Sequence, residues 1–248
     1  MAYAAMGASV KFIAALDRYK AQRGIHLAAM RYDGAALGCG DPNVTDERGR
    51  TPLGYLAWSG MWKLDDVGSA PALECTRILL DAGADADAVE EIDEGGDIFY
   101  ATPLWRAIGW QGHGALAELL LEAGADPNNA VFAAVFDGNV ELCALLDRHG
   151  ADWDTTFKGR TPLMDLMYFR RPAMAGWLSD HGADPNLRDN DGRTALHFAA
   201  LQGVKNEHLE TLINNGAKPN LKDQQGNLPL DLAKSNKRTK AAVFLQSL

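Results

Sequence analysis

The chain has 248 residues, of which 47% are hydrophobic and 23% charged, a composition typical of a folded protein with a sizeable core. The formal net charge of −9 disfavours nucleic acid and anionic membrane surfaces as partners, because binding either one needs a basic surface. No stretch approaches the ~18 apolar residues of a membrane span, and the N-terminus lacks the early basic residues of a signal peptide. A cytoplasmic location is therefore expected. The odd number and wide spacing of the cysteines, Cys39, Cys75 and Cys143, predict reduced thiols.

The first predicted element is an amphipathic helix over residues 8–22. Its sequence "ASVKFIAALDRYKAQ" places Val10, Ile13 and Leu16 along one row at helical spacing. A second helix is predicted to start near Ile25. We expect this pair to form an N-terminal helical cap over residues 1–38.

From residue 39 onward, two short signatures alternate in phase. The first is a glycine turn, found as "CGDPN", "AGADAD", "AGADPN", "HGADWD", "HGADPN" and "NGAKPN". The second is a helix start, found as "TPLGYLA", "TPLWRAI", "TPLMDLM", "TALHFAA" and "LPLDLA", with "NAVFAAV" as a degenerate copy. Thr is a good N-cap and Pro suits the first helical position, so each copy predicts a first helix. A second apolar run then ends on Gly, which can adopt the left-handed conformation that closes a second helix.

These alternating signatures resemble the ankyrin repeat. The resemblance implies an all-α repeat solenoid of about five to six helix-turn-helix repeats with hairpin fingers, over residues 39–235. It also implies that the first helices line a concave face. Residues 236–248 are predicted to form a C-terminal capping helix, and all three segments one continuous domain.

The C-terminal segment 234–248 is expected to be anchored by Val243, Phe244 and Leu245. It also carries a basic cluster of Lys234, Lys237, Arg238 and Lys240. The cluster is interpreted as the solvated outer face of a terminal repeat, with an acidic-partner site as the alternative.

Two interruptions of the repeat are candidate binding loops. The first repeat has about ten extra residues within 59–72, including Trp62, and the second finger has about seven extra within 88–101. That finger carries Phe99 and Tyr100 after a run of carboxylates, Glu90, Glu91, Asp93, Glu94 and Asp97. Insertions in repeat proteins often lie at the binding face, although a tolerated surface loop is the alternative. A calcium site is disfavoured because the carboxylates lack EF-hand spacing.

Large aromatic residues recur at the predicted end of the first helices. The eighth and ninth residues from each Thr position include Trp58, Trp110, Phe136 with Asp137, and Tyr168 with Phe169. The resemblance places these positions on the concave groove, where they would align as a ridge beside Arg170 and Arg171. In the alternative interpretation, the rings pack on one another between repeats and serve the core. The predicted protein-binding residues are Trp58, Trp62, Phe99, Tyr100, Trp105, Trp110, Phe136, Asp137, Tyr168, Phe169, Arg170 and Arg171.

No catalytic motif is present: there is no HExxH, GxSxG, P-loop or GxGxxG sequence, and no cofactor or metal site is predicted. In ankyrin repeats, the position of His197 usually hydrogen-bonds neighbouring turns. We therefore predict a non-catalytic protein-binding module, monomeric when free, such as a dedicated inhibitor, an immunity-type antitoxin or an adaptor. Its acidity would suit a basic protein partner. The alternatives are a structural, self-assembling repeat protein and an enzyme with an unrecognised site.

Overall fold

A computed structural model describes residues 28–29, 33–37, 40–59, 69–94, 97–110 and 112–248. The chain divides into two compact units, residues 1–133 and residues 134–248. Most of the predicted N-terminal cap lies outside the described residues, as do Cys39 and Trp62. None of the helices in the described ranges is long and apolar enough to cross a membrane.

The first unit consists of short helices with one β-hairpin. In chain order its elements are α1 (Gly34–Leu37), α2 (Pro52–Ser59), α3 (Ala70–Asp81), β1 (Glu90–Glu94), β2 (Asp97–Ala101), α4 (Pro103–Trp105), a π-helix (Arg106–Trp110), α5 (Gly114–Glu122) and a 3-10 helix (Pro127–Ala130). Helix α2 packs on α3, and α3 packs on α5. Leu53, Leu79 and Leu116 from these three helices are buried in the core.

The second unit consists of helix pairs. The division between the units falls within α6 (Val131–Asp137), which is followed by α7 (Val140–Arg148), α8 (Pro162–Tyr168), a 3-10 helix (Pro172–Met174), α9 (Ala175–Asp180), α10 (Ala195–Gln202), α11 (Asn206–Asn214), α12 (Pro229–Ser235) and α13 (Thr239–Gln246). The first helices α8, α10 and α12 pack in succession, and the second helices α9, α11 and α13 do the same. Each repeat therefore contacts its sequence neighbours, as in a solenoid.

The predicted helix boundaries are confirmed by their capping geometry. The Thr102 hydroxyl accepts a hydrogen bond from the Trp105 backbone N–H at 3.2 Å, and Thr161 does the same for Met164 at 3.4 Å. The glycines of the turn signature have φ between +82° and +96°, a conformation that a Cβ would strain: Gly83, Gly124, Gly150, Gly182 and Gly216. These turns end the second helices as the sequence predicts.

The last residue of the glycine turn ties one repeat to the next. The Asn186 side chain donates to the Gly216 carbonyl at 3.0 Å and accepts from the Lys218 N–H at 2.8 Å. Asn43 makes the equivalent pair of bonds to the turn at residues 83–85. Asp154 accepts from the Asp184 N–H at 2.9 Å. The Asn or Asp that closes the signature therefore links successive turns.

The long second finger is an antiparallel β-hairpin, in which Glu90 pairs with Ala101 and Glu91 with Tyr100. Because side chains alternate along a strand, Glu90 and Ala101 lie on one face and are buried, whereas Glu91 and Tyr100 are exposed. In the third finger, the next predicted helix start, at Asn129, lies only five residues after the turn glycine Gly124, and the 3-10 helix Pro127–Ala130 occupies this short connection.

The first helix of the second repeat is one residue longer than the first helices of the repeats that follow it. In the later repeats, the first helix is followed by a residue in the left-handed conformation, always at the same distance from the helix start: Gly138, Arg170, Gly203 and Lys237. In the second repeat, the corresponding left-handed residue is Gly112, which lies one residue further from the helix start. The π-helix Arg106–Trp110 accommodates this extra residue. Gly109 within it lies so close to Ala133 that a Cβ would be 2.8 Å from the Ala133 Cβ.

One predicted anchor of the C-terminal helix is wrong. Val243 is 65% exposed, whereas Leu245, Ala241 and Ala242 are buried. On a helix, position 243 points away from positions 241 and 245, so the run of three apolar residues cannot all face the core. Leu245 is the confirmed anchor, and Phe244 is half-buried.

Cys75 and Cys143 are buried in the second helices α3 and α7. Burial raises the pKa of the Cys143 thiol to about 12. Burial, with smaller contributions from Asp33 and Glu74, raises that of Cys75 to about 11. A thiol with such a pKa is almost wholly protonated at neutral pH and therefore unreactive.

Candidate protein-binding surface

Aromatic side chains of the second unit form a continuous row, which consists of Phe136, Phe169, Tyr168 and Phe198. The Phe169 ring centroid lies 5.4 Å from that of Phe136 and 4.9 Å from that of Tyr168. The Tyr168 ring lies 5.9 Å from Phe198. All three pairs are nearly perpendicular, the edge-to-face geometry that aromatic rings favour.

Three rings of this aromatic row are partly exposed. Phe136 is 36% exposed, Tyr168 39% and Phe169 48%, whereas Phe198 is buried. The rings therefore pack on one another and still present an edge or face to solvent, and their role in binding stays a prediction. Phe198 extends the predicted column into the core.

Arginine side chains hold two of the rings. The Arg171 guanidinium carbon lies 4.1 Å from the centroid of Phe136, and Arg171 Nη1 donates to the Phe136 carbonyl at 3.2 Å. The Arg160 guanidinium carbon lies 4.8 Å from the Tyr168 centroid, and its Nε donates to Asp165. Cation–π contacts of this kind fix the rings against their neighbours.

Arg170 has an unusual backbone conformation, with φ of +58°. Its N–H donates to the Met167 carbonyl at 3.1 Å, and that of Arg171 donates to the Leu166 carbonyl at 2.8 Å. This pair of bonds is a Schellman motif, in which glycine is the favoured residue at the position of Arg170. The side chains of Arg170 and Arg171 are exposed.

A cavity of about 370 Å³ opens beside this row, lined by residues that include Phe136, Asp137, Arg171, Met174 and His208. Desolvation raises the pKa of the Asp137 carboxyl, and the nearby Arg171 guanidinium opposes that rise. Its lining combines apolar side chains such as Met174, which is buried, with exposed charged side chains such as Asp137 and Arg171, a combination found in protein interfaces.

The predicted aromatic residues of the first unit lie around the β-hairpin. The Phe99 ring centroid is 4.6 Å from that of Trp105, and both side chains are half-buried. Arg50 lies over the Trp58 ring at 5.2 Å, and Tyr100 is exposed. Trp62 and the side chain of Trp110 lie outside the described residues, so their predicted roles stay untested.

The prediction that Glu90 belongs to the acidic surface of a binding loop is wrong. Glu90 is 4% exposed, and its two oxygens bind Arg50 and Arg106, which are also buried. The hairpin register is the physical reason, since it turns Glu90 inward together with Ala101. This buried ion cluster fastens the hairpin to the neighbouring first helices.

Sequence reasoning also missed a recurring arginine–aromatic pair. The sequence "GRTPL" occurs twice, and in each copy the Arg lies over the aromatic ring eight residues later, Arg50 over Trp58 and Arg160 over Tyr168. The eight-residue spacing between the arginine and the aromatic residue is visible in the sequence and could have predicted both pairs.

His197 has a structural position, as the family resemblance implied. The Thr194 N–H donates to its Nδ1 at 3.1 Å, and its Nε2 lies 3.2 Å from the Asn227 carbonyl. Burial lowers the pKa of the His197 imidazole. The hydrogen bond to Asn227 and the charge of Asp223 oppose this decrease, whereas the charges of Arg188 and Arg193 add to it. Within the described parts of the chain, no group of three or more His, Cys, Asp or Glu side chains could hold a metal ion.

Two sequence models of ankyrin repeats match the chain, one of three copies at residues 104–189 and one of many copies at residues 180–233. The chain is an ankyrin-repeat protein. The ankyrin repeat protein nuc-2 of Neurospora crassa is 29% identical, in an alignment that covers 69% of this chain. The chain spans only 18% of the length of that relative.

Solved ankyrin-repeat domains share the fold. The ankyrin repeat domain of Bcl-3, a member of the IkappaB family, matches with a TM-score of 0.70 and 23% identity, over 92% of this chain and 99% of that domain. The human ASB11 ankyrin repeat domain matches with a TM-score of 0.65 and 24% identity, over 90% and 98%. The predicted family and all-α solenoid fold are confirmed. Ankyrin repeats generally mediate protein–protein interactions and are generally non-catalytic.

Proposed function

We propose that this ankyrin-repeat protein binds a protein partner through an aromatic–arginine surface, which consists of Phe136, Asp137, Tyr168, Phe169, Arg170 and Arg171. The observation that supports the proposal is the partly exposed aromatic row with Arg171 against Phe136. Aromatic and arginine side chains are the residues that most often dominate binding energy in protein interfaces.

The exposed parts of the three rings are sufficient for an anchor. A large aromatic side chain has ~200 Å² of surface, so about two fifths of it leaves ~80 Å² on each ring. Burying ~240 Å² in total would contribute ~6 kcal/mol at ~25 cal/mol per Å². Association costs ~4–15 kcal/mol, so the partner must make further contacts around this anchor.

The rings pack against one another and against arginine side chains without a partner, which lowers the entropic cost of binding them. Phe169 is held between Phe136 and Tyr168, and Arg160 and Arg171 fix the outer two rings. Such a preorganised surface suits a protein that acts by occupying its partner. We therefore propose a non-catalytic, monomeric, cytoplasmic inhibitor, antitoxin or adaptor.

A pull-down from a lysate of the source cells would test this proposal. The wild type is compared with the triple variant Phe136→Ala, Tyr168→Ala and Phe169→Ala, and with Phe157→Ala as a matched control. Phe157 is 40% exposed and has Lys158 5.6 Å from its ring, but it is not part of the aromatic row. Circular dichroism first establishes that all three proteins fold.

We expect a protein that the wild type and the control capture and the triple variant loses. Equal capture by all three proteins would refute the aromatic–arginine surface as the site. Light scattering on the same samples tests the self-assembly alternative, which requires a mass that rises with concentration in the wild type and not in the triple variant.

A further inference from the structure

The net negative charge of this protein comes entirely from the first half of the chain. Residues 1–133 contain 10 Lys and Arg against 19 Asp and Glu, and so carry the whole net charge of −9. Residues 134–248 contain 14 of each and are formally neutral. The expectation of a basic partner rested on the total charge and therefore does not apply to the aromatic–arginine surface, which belongs to the neutral half.

The six residues that define the aromatic–arginine surface include two arginines against one carboxylate, Asp137. Arg170 and Arg171 are exposed, and among the residues that line the adjoining cavity Asp137 is the one carboxylate. His208 also lines the cavity, with Glu207 3.3 Å from its Nε2. The Arg160 guanidinium is bound to Asp165, so its charge is balanced within the protein.

Arg170 occupies a position where glycine would be more stable. The equivalent left-handed residue after a first helix is Gly112, Gly138 or Gly203 in three other repeats, and Lys237 in the last. A left-handed conformation is strained for a non-glycine residue, because its Cβ comes too close to the following carbonyl oxygen. Backbone strain of this kind concentrates at functional sites, so the Arg170 side chain is a candidate for direct contact with a ligand.

We propose that the aromatic–arginine surface binds an acidic segment of the partner protein. This inference rests on the proposed function. An aromatic or aliphatic side chain of that segment lies against Phe136 and Phe169, and carboxylates on either side of it pair with Arg170 and Arg171. Guanidinium groups match carboxylates in planar, two-bonded geometry. Arg171 donates from one nitrogen to the Phe136 carbonyl, and its guanidinium also interacts with the Asp137 carboxylate. A basic segment would instead bring like charges together.

Three synthetic peptides provide the test. Each carries the same central Phe-Leu pair and a fluorescein label, and the flanking residues are all Glu, all Gln or all Lys. Fluorescence anisotropy measures their dissociation constants for the full chain. We expect the Glu peptide to bind roughly two- to thirtyfold more tightly than the Gln peptide, as for two exposed ion pairs, and the Lys peptide to bind most weakly. The advantage of the Glu peptide should shrink as salt is added.

Two variants show whether the arginines cause this order. Arg170→Gly combined with Arg171→Gln removes both charges, and glycine suits the left-handed backbone, so the variant should fold. The matched control is Arg188→Gln, because Arg188 is also exposed in this unit and donates to a backbone carbonyl, that of Lys222. The proposal requires the preference for Glu to vanish in the first variant and to persist in the control.

The inference is overturned if the Lys peptide binds as tightly as the Glu peptide, if the preference survives in the double variant, or if the Glu peptide does not bind. None of these outcomes contradicts the proposed function, provided that the wild type captures a partner protein in the pull-down and the triple aromatic variant does not. Equal capture by that variant removes the proposed function itself, so the two failures are distinguishable.

Discussion

Replacing Glu90 by Gln tests the buried ion cluster that fastens the β-hairpin. Each carboxylate oxygen of Glu90 binds a different guanidinium, Oε2 that of Arg50 and Oε1 that of Arg106. Glu90 and Arg106 are 4% exposed and Arg50 is 9% exposed, so solvent cannot replace the lost carboxylate. Gln keeps the shape but removes the charge and turns an amide N–H₂ toward one guanidinium. Removing one partner of a buried pair costs about 3–5 kcal/mol, and we expect a loss of that size in the free energy of unfolding.

Urea denaturation followed by far-UV circular dichroism measures this loss, with Glu91→Gln as the matched control. Glu91 is the next residue of the same strand, but it is exposed, so its substitution should change the free energy by less than about 0.5 kcal/mol. Amide hydrogen exchange shows where the loss arises, because only Glu90→Gln should speed exchange in the hairpin. Equal urea midpoints for the two variants would refute the buried cluster as a source of stability.

Three further predictions follow from packing and burial. Gly109→Ala should destabilise the protein by about 1–3 kcal/mol in urea denaturation, because the new Cβ overlaps Ala133. Its control is Gly176→Ala, whose Cβ would be 3.8 Å from its nearest neighbour and which should be neutral or slightly stabilising. Cys75 and Cys143 should resist iodoacetamide in the folded protein at pH 8 and react once urea unfolds the protein. Peptide mass spectrometry detects the modified cysteines, and modification of either one in the folded state would contradict their raised pKa values. Because the pKa of His197 is lowered on folding, the unfolded chain takes up the proton first, so stability should fall as the pH drops below about 6.5. An NMR titration in which the His197 ring protonates at its ordinary pKa would contradict this.

The repeated signatures were sufficient to predict the family, the helix starts and the glycine turns, because these depend on local capping chemistry. Thr161 and Gly182 show this, since each acts through backbone groups a few residues away. The hairpin was not predictable from the same signal. Its strands carry five carboxylates, a composition that strands disfavour, and the arginines that bind Glu90 lie outside the hairpin sequence.

The candidate site was predicted in part. The recurrence of aromatic residues at the ends of the first helices was visible from the repeat register, and the adjacency of Tyr168 and Phe169 required at least one of the two rings to face away from the core. Which rings touch, and which arginine covers which ring, depends on side-chain directions across two repeats. The register at Trp110 could not be predicted either, because the π-helix shifts the chain by one residue at that point.

The side-chain ties between successive glycine turns have a mechanical consequence. In the second unit, Asp154 joins its turn to that at residue 184, and Asn186 joins the next turn to residues 216 and 218. Each tie therefore spans a single repeat. A pulling force applied to the two ends of that unit would load the ties in series, so that the weakest breaks first while the others hold. Under tension, this part of the protein would behave as a spring that lengthens in repeat-sized steps.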